Sequence, residues 1–190
     1  MSVAACLLRV LLGSYTGTHR EPTLRTSLNY KDVSGRGTHL MSQRVKVAVD
    51  VPESVVGETV ETLWAERVED GYRLLNSPWY AKGISYLDVV EATVAGDGLF
   101  QIRRKVGTAG HSTYRLLVKD DADWARHWDE LQSLGCTYEE SLENGFPLLA
   151  VDVPPECDIH AAYSSMEEGE TAGAWQFEEG DVNHPVSRAN

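Results

Sequence analysis

The side chains best suited to chemistry are the adjacent His111 and Ser112, within the run Gly107-Thr-Ala-Gly-His-Ser-Thr113. A serine nucleophile needs a histidine within hydrogen-bond reach, an orienting carboxylate and oxyanion donors. Neighbours on an extended strand point to opposite faces, which counts against direct pairing of these two. No Gly-x-Ser-x-Gly elbow is present. His111 and Ser112 therefore read first as residues that shape a turn between two domains and satisfy backbone groups there. Clefts between domains favour ligands, so with Arg115 and Tyr86 they also form a candidate small-molecule site. A hydrolase using either residue ranks last.

Other reactive groupings are weaker. Asp181 and His184 stand three apart, while His127 and His160 lie alone on separate helices, so no metal site is expected. Cys6, Cys136 and Cys157 are odd in number and lack CxxC spacing, which indicates neither a disulfide framework nor zinc and fits a reducing cytoplasm. Gly96, Gly98, Gly107 and Gly110 form neither GxGxxG nor a P-loop, so no nucleotide and no cofactor is expected. The pairs Glu139-Glu140, Glu167-Glu168 and Glu178-Glu179 could serve as glycosidase acids, but on a single sheet without a deep cleft they read as solvated. Trp79 and Tyr80 follow Pro78 in a broken segment, with Tyr86 close behind. They either pack on a barrel rim or form a recognition patch, since binding surfaces are enriched in such residues.

The elements that must position these residues fall into two groups. From Met41 to about Thr108 the pattern is strand-like: Val45 to Val51 alternates, Val60 to Val68 ends at Glu69-Asp70-Gly71, and Tyr72 to Leu75 is broken by Asn76-Ser77-Pro78. Asp88 to Val94 and Leu99 to Val106 flank Ala95-Gly96-Asp97-Gly98, a hairpin turn. Short antiparallel strands with tight turns point to a small barrel. From Gly110 the order becomes βαββαβ. Asp120-Asp121-Ala122-Asp123 caps a helix carrying Trp124, Trp128 and Leu131, closed by Gly135. Both tryptophans are expected under the sheet. Asn144-Gly145 joins the next two strands, Pro154-Pro155 opens a second helix with Ile159, Tyr163 and Met166 on one stripe, and Ala174 to Asp181 is the last strand.

Charge divides along the same line. The 190 residues carry 17 basic and 29 acidic side chains, a formal net charge of -12. Residues 99–119 hold five bases and no acid, whereas residues 120–181 hold 17 acids and one base, Arg126. That excess disfavours nucleic acid, whose phosphates need clustered Lys and Arg. The acidic stretch is either a solvated surface or a face that receives a basic protein or cationic ligand. Arg103, Arg104 and Lys105 either neutralise it internally or mark a second contact. No apolar run approaches the roughly 20 residues of a membrane helix. Residues 1–40, with five bases and two acids among Ser, Thr and Gly, read as a disordered extension or a mis-assigned start.

The phrases Tyr72-Arg-Leu-Leu-Asn76 with Pro78-Trp-Tyr80, Tyr86-Leu-Asp-Val-Val-Glu91, Gly110-His-Ser-Thr-Tyr-Arg115 and Trp175-Gln-Phe-Glu-Glu-Gly-Asp181 resemble those of a bacterial family known as domain of unknown function 4265. The resemblance spans about residues 45–185. It implies a small soluble bacterial protein and supplies no reaction, cofactor or catalytic residue.

The expected architecture is α+β: a small antiparallel β-barrel-like domain at residues 41–109, a ferredoxin-like βαββαβ domain at 110–185 with one sheet face open, and a tail at 186–190. The leading functional expectation is a non-catalytic regulatory or immunity-type protein, cytoplasmic, whose acidic second domain engages a basic partner. The alternative is a small-molecule sensor at the junction. Pairing of sheet edges into a homodimer fits the same fold.

Overall fold

Alternation between buried and exposed positions, clearest over Val60–Val68, underlies the first group of strands. In the computed structural model, which describes residues 44–51, 60–95, 99–119, 123–143 and 145–184, strands β1 (Arg44–Asp50), β2 (Val60–Val68), β3 (Gly71–Leu74), β4 (Val89–Val94) and β5 (Phe100–Gly107) form a closed barrel. Four of its pairings are antiparallel, and a short parallel contact between β1 and β5 closes it. Inward residues Val47, Leu63, Ala65, Tyr72, Leu74 and Val90 make its core. Closure removes the free edges that an open five-stranded sheet would expose.

The second part is a four-stranded sheet in the order β7-β8-β6-β9, made of β6 (Ser112–Val118), β7 (Thr137–Glu143), β8 (Phe146–Val153) and β9 (Trp175–Asp181), with antiparallel neighbours throughout. Helices α1 (Trp124–Ser133) and α2 (Ile159–Thr171) pack on one face. Trp128, Leu131, Ile159 and Met166 meet Tyr114, Leu116, Leu149, Val151 and Trp175 there. The class is thus α+β, with mostly antiparallel strands and two helices. Trp175 is wholly buried and donates from Nε1 to the Met166 carbonyl at 2.9 Å. Removing an aromatic side chain of that size from water is worth up to about 4 to 6 kcal/mol. Its ring lies over Gly169 so closely that a Cβ there would collide with Cζ2, which is why a glycine stands in mid-helix.

Trp128 lies in the core as expected, while Trp124 is half-buried at the rim, edge-on to Tyr138. Gly135 ends α1 at φ +94°, the left-handed turn glycine makes without strain. Asp123 occupies the N-cap of α1 without a side-chain hydrogen bond. The second helix begins later than Pro154-Pro155 suggests. Those prolines lie in a preceding turn, and the cap is Asp158, whose carboxylate accepts from His160 N and Ala161 N. A side chain able to bind the first free N–H groups sets the start better than a fixed φ does.

The larger correction concerns the face opposite the helices. It does not stand open: Thr113, Arg115, Leu148, Ala150 and Asp152 on it are all buried. The barrel loop at residues 75–88 lies against it, with Ser77 N, Tyr80 O and Gly83 N bonded to the sheet. The central strands β6 and β8 are therefore covered on both sides, as their nearly unbroken burial requires.

Expectations for residues 1–40, for the turn at Gly96-Asp97-Gly98, for Asp120 to Ala122, for Asn144 and for the tail lie outside the described residues. No helix among the described residues is long and apolar enough to cross a membrane.

Candidate functional site

The seam between barrel loop and sheet gathers most of the polar side chains that could act. Leu87 adopts φ 61°, a left-handed conformation uncommon outside glycine, next to the fully buried Asp88. Asp88 accepts from Ser85 N at 2.8 Å and meets Lys105 Nζ at 3.1 Å. The same ammonium reaches Asp181 at 2.7 Å and Asn183 Oδ1 at 3.1 Å, joining barrel strand β5 to the end of β9. Burial works against this ammonium, but the bonds from Asp181 and Asp88 outweigh it and raise its pKa. Asn183 completes the knot by donating to the His111 carbonyl at 2.7 Å and to Asp181 at 2.8 Å.

Arg115 forms a second tie. It is 3% exposed, pairs with Glu178 at 3.0 Å and donates to the Tyr80 carbonyl at 3.0 Å. Burial lowers its pKa against the pull of Glu178 and Glu61. Glu61, itself buried, accepts from the backbone N–H groups of Trp79, Tyr80 and Ala81 at 2.8, 3.0 and 2.8 Å. A carboxylate with three such donors fixes the loop that carries both aromatics. Trp79 and Tyr80 are half-buried, and Tyr80 packs against the barrel core.

His111 and Ser112 point to opposite sides and find different partners. His111 Nδ1 lies 2.8 Å from Asp152 Oδ1, and its ring meets Tyr86 edge-on with centroids 5.2 Å apart. Ser112, with no exposed surface, contacts His184 Nδ1 at 2.7 Å and accepts from Asn183 N at 2.9 Å and His184 N at 3.3 Å. His184 Nε2 lies 3.0 Å from the Pro154 carbonyl. A carbonyl only accepts, so in the neutral ring Nε2 carries the proton and Nδ1 accepts from the Ser112 hydroxyl. Ser112 thus resembles a nucleophile paired with a base, yet both its lone pairs are taken by N–H donors and it is sealed from solvent. It pins the segment after β9 to β6.

Near His111 the carboxylates crowd. Burial, with Asp152 and Glu61 close by, pushes Glu139 up to about 7 although Ser77 N donates to it at 2.8 Å. Burial also raises Asp152, against the pull of His111, and raises Tyr86, with Asp152 and Glu139 adding to it. Glu139 and Glu178 are therefore not part of a solvated row, which corrects the expectation for those two members of the acidic pairs. Arg103 and Arg104 lie apart from the seam. They are exposed on the barrel, Arg103 bonded to Thr93 at 2.8 Å and Arg104 paired with Glu91 at 2.6 Å. Of the three basic neighbours, Lys105 is the one that reaches the acidic part.

Of the residues singled out from sequence, His111, Ser112, Arg115, Tyr86 and Tyr80 come to this seam. Asp152, Asp88, Glu61 and Asn183 are missed, while Glu139, Asp181 and His184, weighed only for glycosidase or metal chemistry, enter the seam in another role. Cys136 and Cys157, which have no sequence motif, lie with Sγ atoms 4.0 Å apart, and burial pushes both thiols up.

A family model described as a domain of unknown function, DUF4265, matches residues 61–177. Among solved structures, a hypothetical protein from Neisseria gonorrhoeae is similar at 18% identity and a TM-score of 0.61, over 76% of this chain and 98% of that one. That likeness concerns the fold alone. No curated protein matches the chain.

Proposed function

The chain belongs to the DUF4265 family, and we propose that it is a non-catalytic regulatory or immunity-type protein that engages a basic partner through its acidic second part. The observation that carries this reading is how the carboxylates are divided. Asp152, Glu178 and Asp181 pair with cationic or histidine side chains along the seam. Among the described residues Asp129, Glu130, Glu140, Glu167, Glu168 and Glu179 are exposed, and none has a basic partner. The residues that resembled a catalytic pair are occupied in holding the fold. We read the barrel as a domain at 41–109 and the rest as a ferredoxin-like domain at 110–185. The βαββαβ order and the central placement of β6 and β8 support it.

Surface attraction between unlike charges is screened by salt. The purified chain used as bait in a bacterial extract is expected to retain a protein more basic than the average, released by 0.5 M salt. A retained partner without basic excess, or one that ignores the salt, overturns the reading.

A small-molecule sensor is the second reading, favoured by the convergence of His111, Asp152 and Tyr86 beside Glu139. A metabolite that raises the melting temperature, and fails to do so for His111→Ala, would favour it. Silence across amino acids, nucleotides and sugars would remove it.

A further inference from the structure

The two edges of the four-stranded sheet differ. On the β9 side, Gly83 N donates to the Gly180 carbonyl at 3.1 Å and Lys82 pairs with Glu178 at 3.2 Å, so the barrel loop occupies that edge. On the β7 side, among the described residues, no strand and no backbone group reaches the outer row. In an antiparallel ladder alternate residues turn their N–H and C=O groups to the same neighbour. Pro147, opposite Leu142, has no N–H to give, so Thr137, Glu139 and Ser141 bond to β8. The outward groups are those of Tyr138, Glu140 and Leu142.

The same three side chains share one face and form an apolar–acidic–apolar stripe. Leu142 is 68% exposed and Tyr138 36%, with the exposed Glu140 between them. Trp124 and Trp128 buttress the Tyr138 ring from α1 at centroid distances of 5.9 and 4.6 Å. An exposed edge of seven residues is a template for a further strand unless charge or a cover blocks it. Here neither Lys nor Pro guards it. The carboxylate at its centre disfavours a second copy, because an antiparallel self-pairing about Glu140 sets that side chain against its own counterpart.

We propose that β7 receives an extended segment of a basic partner as an added antiparallel strand, with a Lys or Arg opposite Glu140 and apolar side chains beside Tyr138 and Leu142. Main-chain bonds to Tyr138, Glu140 and Leu142 supply the attachment and the alternate side chains supply the choice of segment. This inference rests on the binding reading given above and assigns it an edge, a backbone geometry and a sequence pattern.

The test uses the full chain and a synthetic seven-residue peptide alternating lysine with valine or threonine, alongside the same peptide N-methylated at alternate backbone positions. Titration followed by tryptophan fluorescence is expected to show saturable binding of the first peptide, at least tenfold weaker for the N-methylated one. Glu140→Pro, which removes an outward N–H on an edge where proline is tolerated, is expected to weaken binding tenfold or more. Leu142→Lys, at a site exposed enough to leave folding intact, tests the same edge by repelling a cationic strand and is expected to do likewise. Glu167→Gln with Glu168→Gln on α2 is expected to leave it within twofold. No binding, or binding indifferent to N-methylation and to both edge variants, overturns strand addition while leaving a salt-dependent partner elsewhere on the acidic surface intact. A dimer in sedimentation that Glu140→Pro dissociates assigns the edge to a second copy and also overturns it. Edge-dependent binding that 0.5 M salt does not weaken keeps the added strand and removes the electrostatic reading instead.

Discussion

Glu178 and Glu179 are neighbours on one strand and live in different surroundings. Glu178 faces the barrel, pairs with Arg115 at 3.0 Å and Lys82 at 3.2 Å, and helps to close the seam. Glu179 faces away, exposed, with no basic partner among the described residues. Repeated over the second part of the molecule, this alternation makes two acidic populations from one composition. Those of the seam are structural groups whose removal should be felt in stability. Those of the outer surface should matter to stability hardly at all.

The largest expected effect comes from breaking the seam at Arg115. Arg115→Ala leaves Glu178 and the Tyr80 carbonyl without their buried donor, and removing one partner of a buried ion pair costs about 3 to 5 kcal/mol. Urea denaturation should show that loss. A variant within about 1 kcal/mol of the parent would mean that Glu178 relaxes into solvent and that the seam is weaker than its geometry implies.

Glu139 gives a smaller effect with a definite sign. Its folded pKa, raised from 4.5 to about 7, means that the native state holds this proton more tightly than the unfolded chain does. Between those two values the native state binds more protons, so this group makes stability fall as pH rises through the window. Asp152, also raised by burial, acts in the same direction. Glu139→Gln keeps an oxygen for Ser77 N–H and removes the ionisation. It should be more stable than the parent at pH 8 by up to about 3 kcal/mol, with a flatter melting profile between pH 5 and pH 8 and a much smaller difference at pH 5. A variant less stable at pH 8 would mean that the Ser77 bond needs a charged acceptor.

How much of this was legible in the sequence depends on whether a feature is local. The strand Arg44–Asp50 follows from the alternation of Val45 to Val51, and the end of α1 from Gly135, because both are fixed within a few residues. The seam is made of pairs far apart in the chain: Lys105 with Asp181 at a separation of 76, and Ser112 with His184 at 72. Nothing local selects those partners. A partial signal was present, however. Glu61 falls in phase with the inward Leu63 and Ala65 of β2, and Asp152 interrupts the apolar run Leu148-Leu-Ala-Val-Asp-Val153. An acid at an inward position must find donors or be displaced, so each could have been marked as a buried, partnered group. The same reasoning shows why the sheet face opposite the helices was misread: Leu148 and Ala150 share it with Asp152, and an exposed face has no use for them.

The smallest effect separates the two populations most cleanly. Glu167 and Glu168 lie exposed in the C-terminal half of α2, with Glu170 beyond them and no basic residue in the last turn. The C-terminal end of a helix carries partial negative charge, so carboxylates there are locally unfavourable by a few tenths of a kcal/mol. Glu167→Gln with Glu168→Gln should therefore raise stability slightly, by less than about 0.5 kcal/mol, and the gain should vanish in 0.5 M salt as screening removes the repulsion. Melting temperatures at low and high salt check both statements. A loss above about 1 kcal/mol would place these side chains in a structural network and erase the distinction from the seam. A small gain means that the chain keeps an arrangement its own helix does not favour, and that these two carboxylates, unlike those of the seam, hold no part of the fold in place.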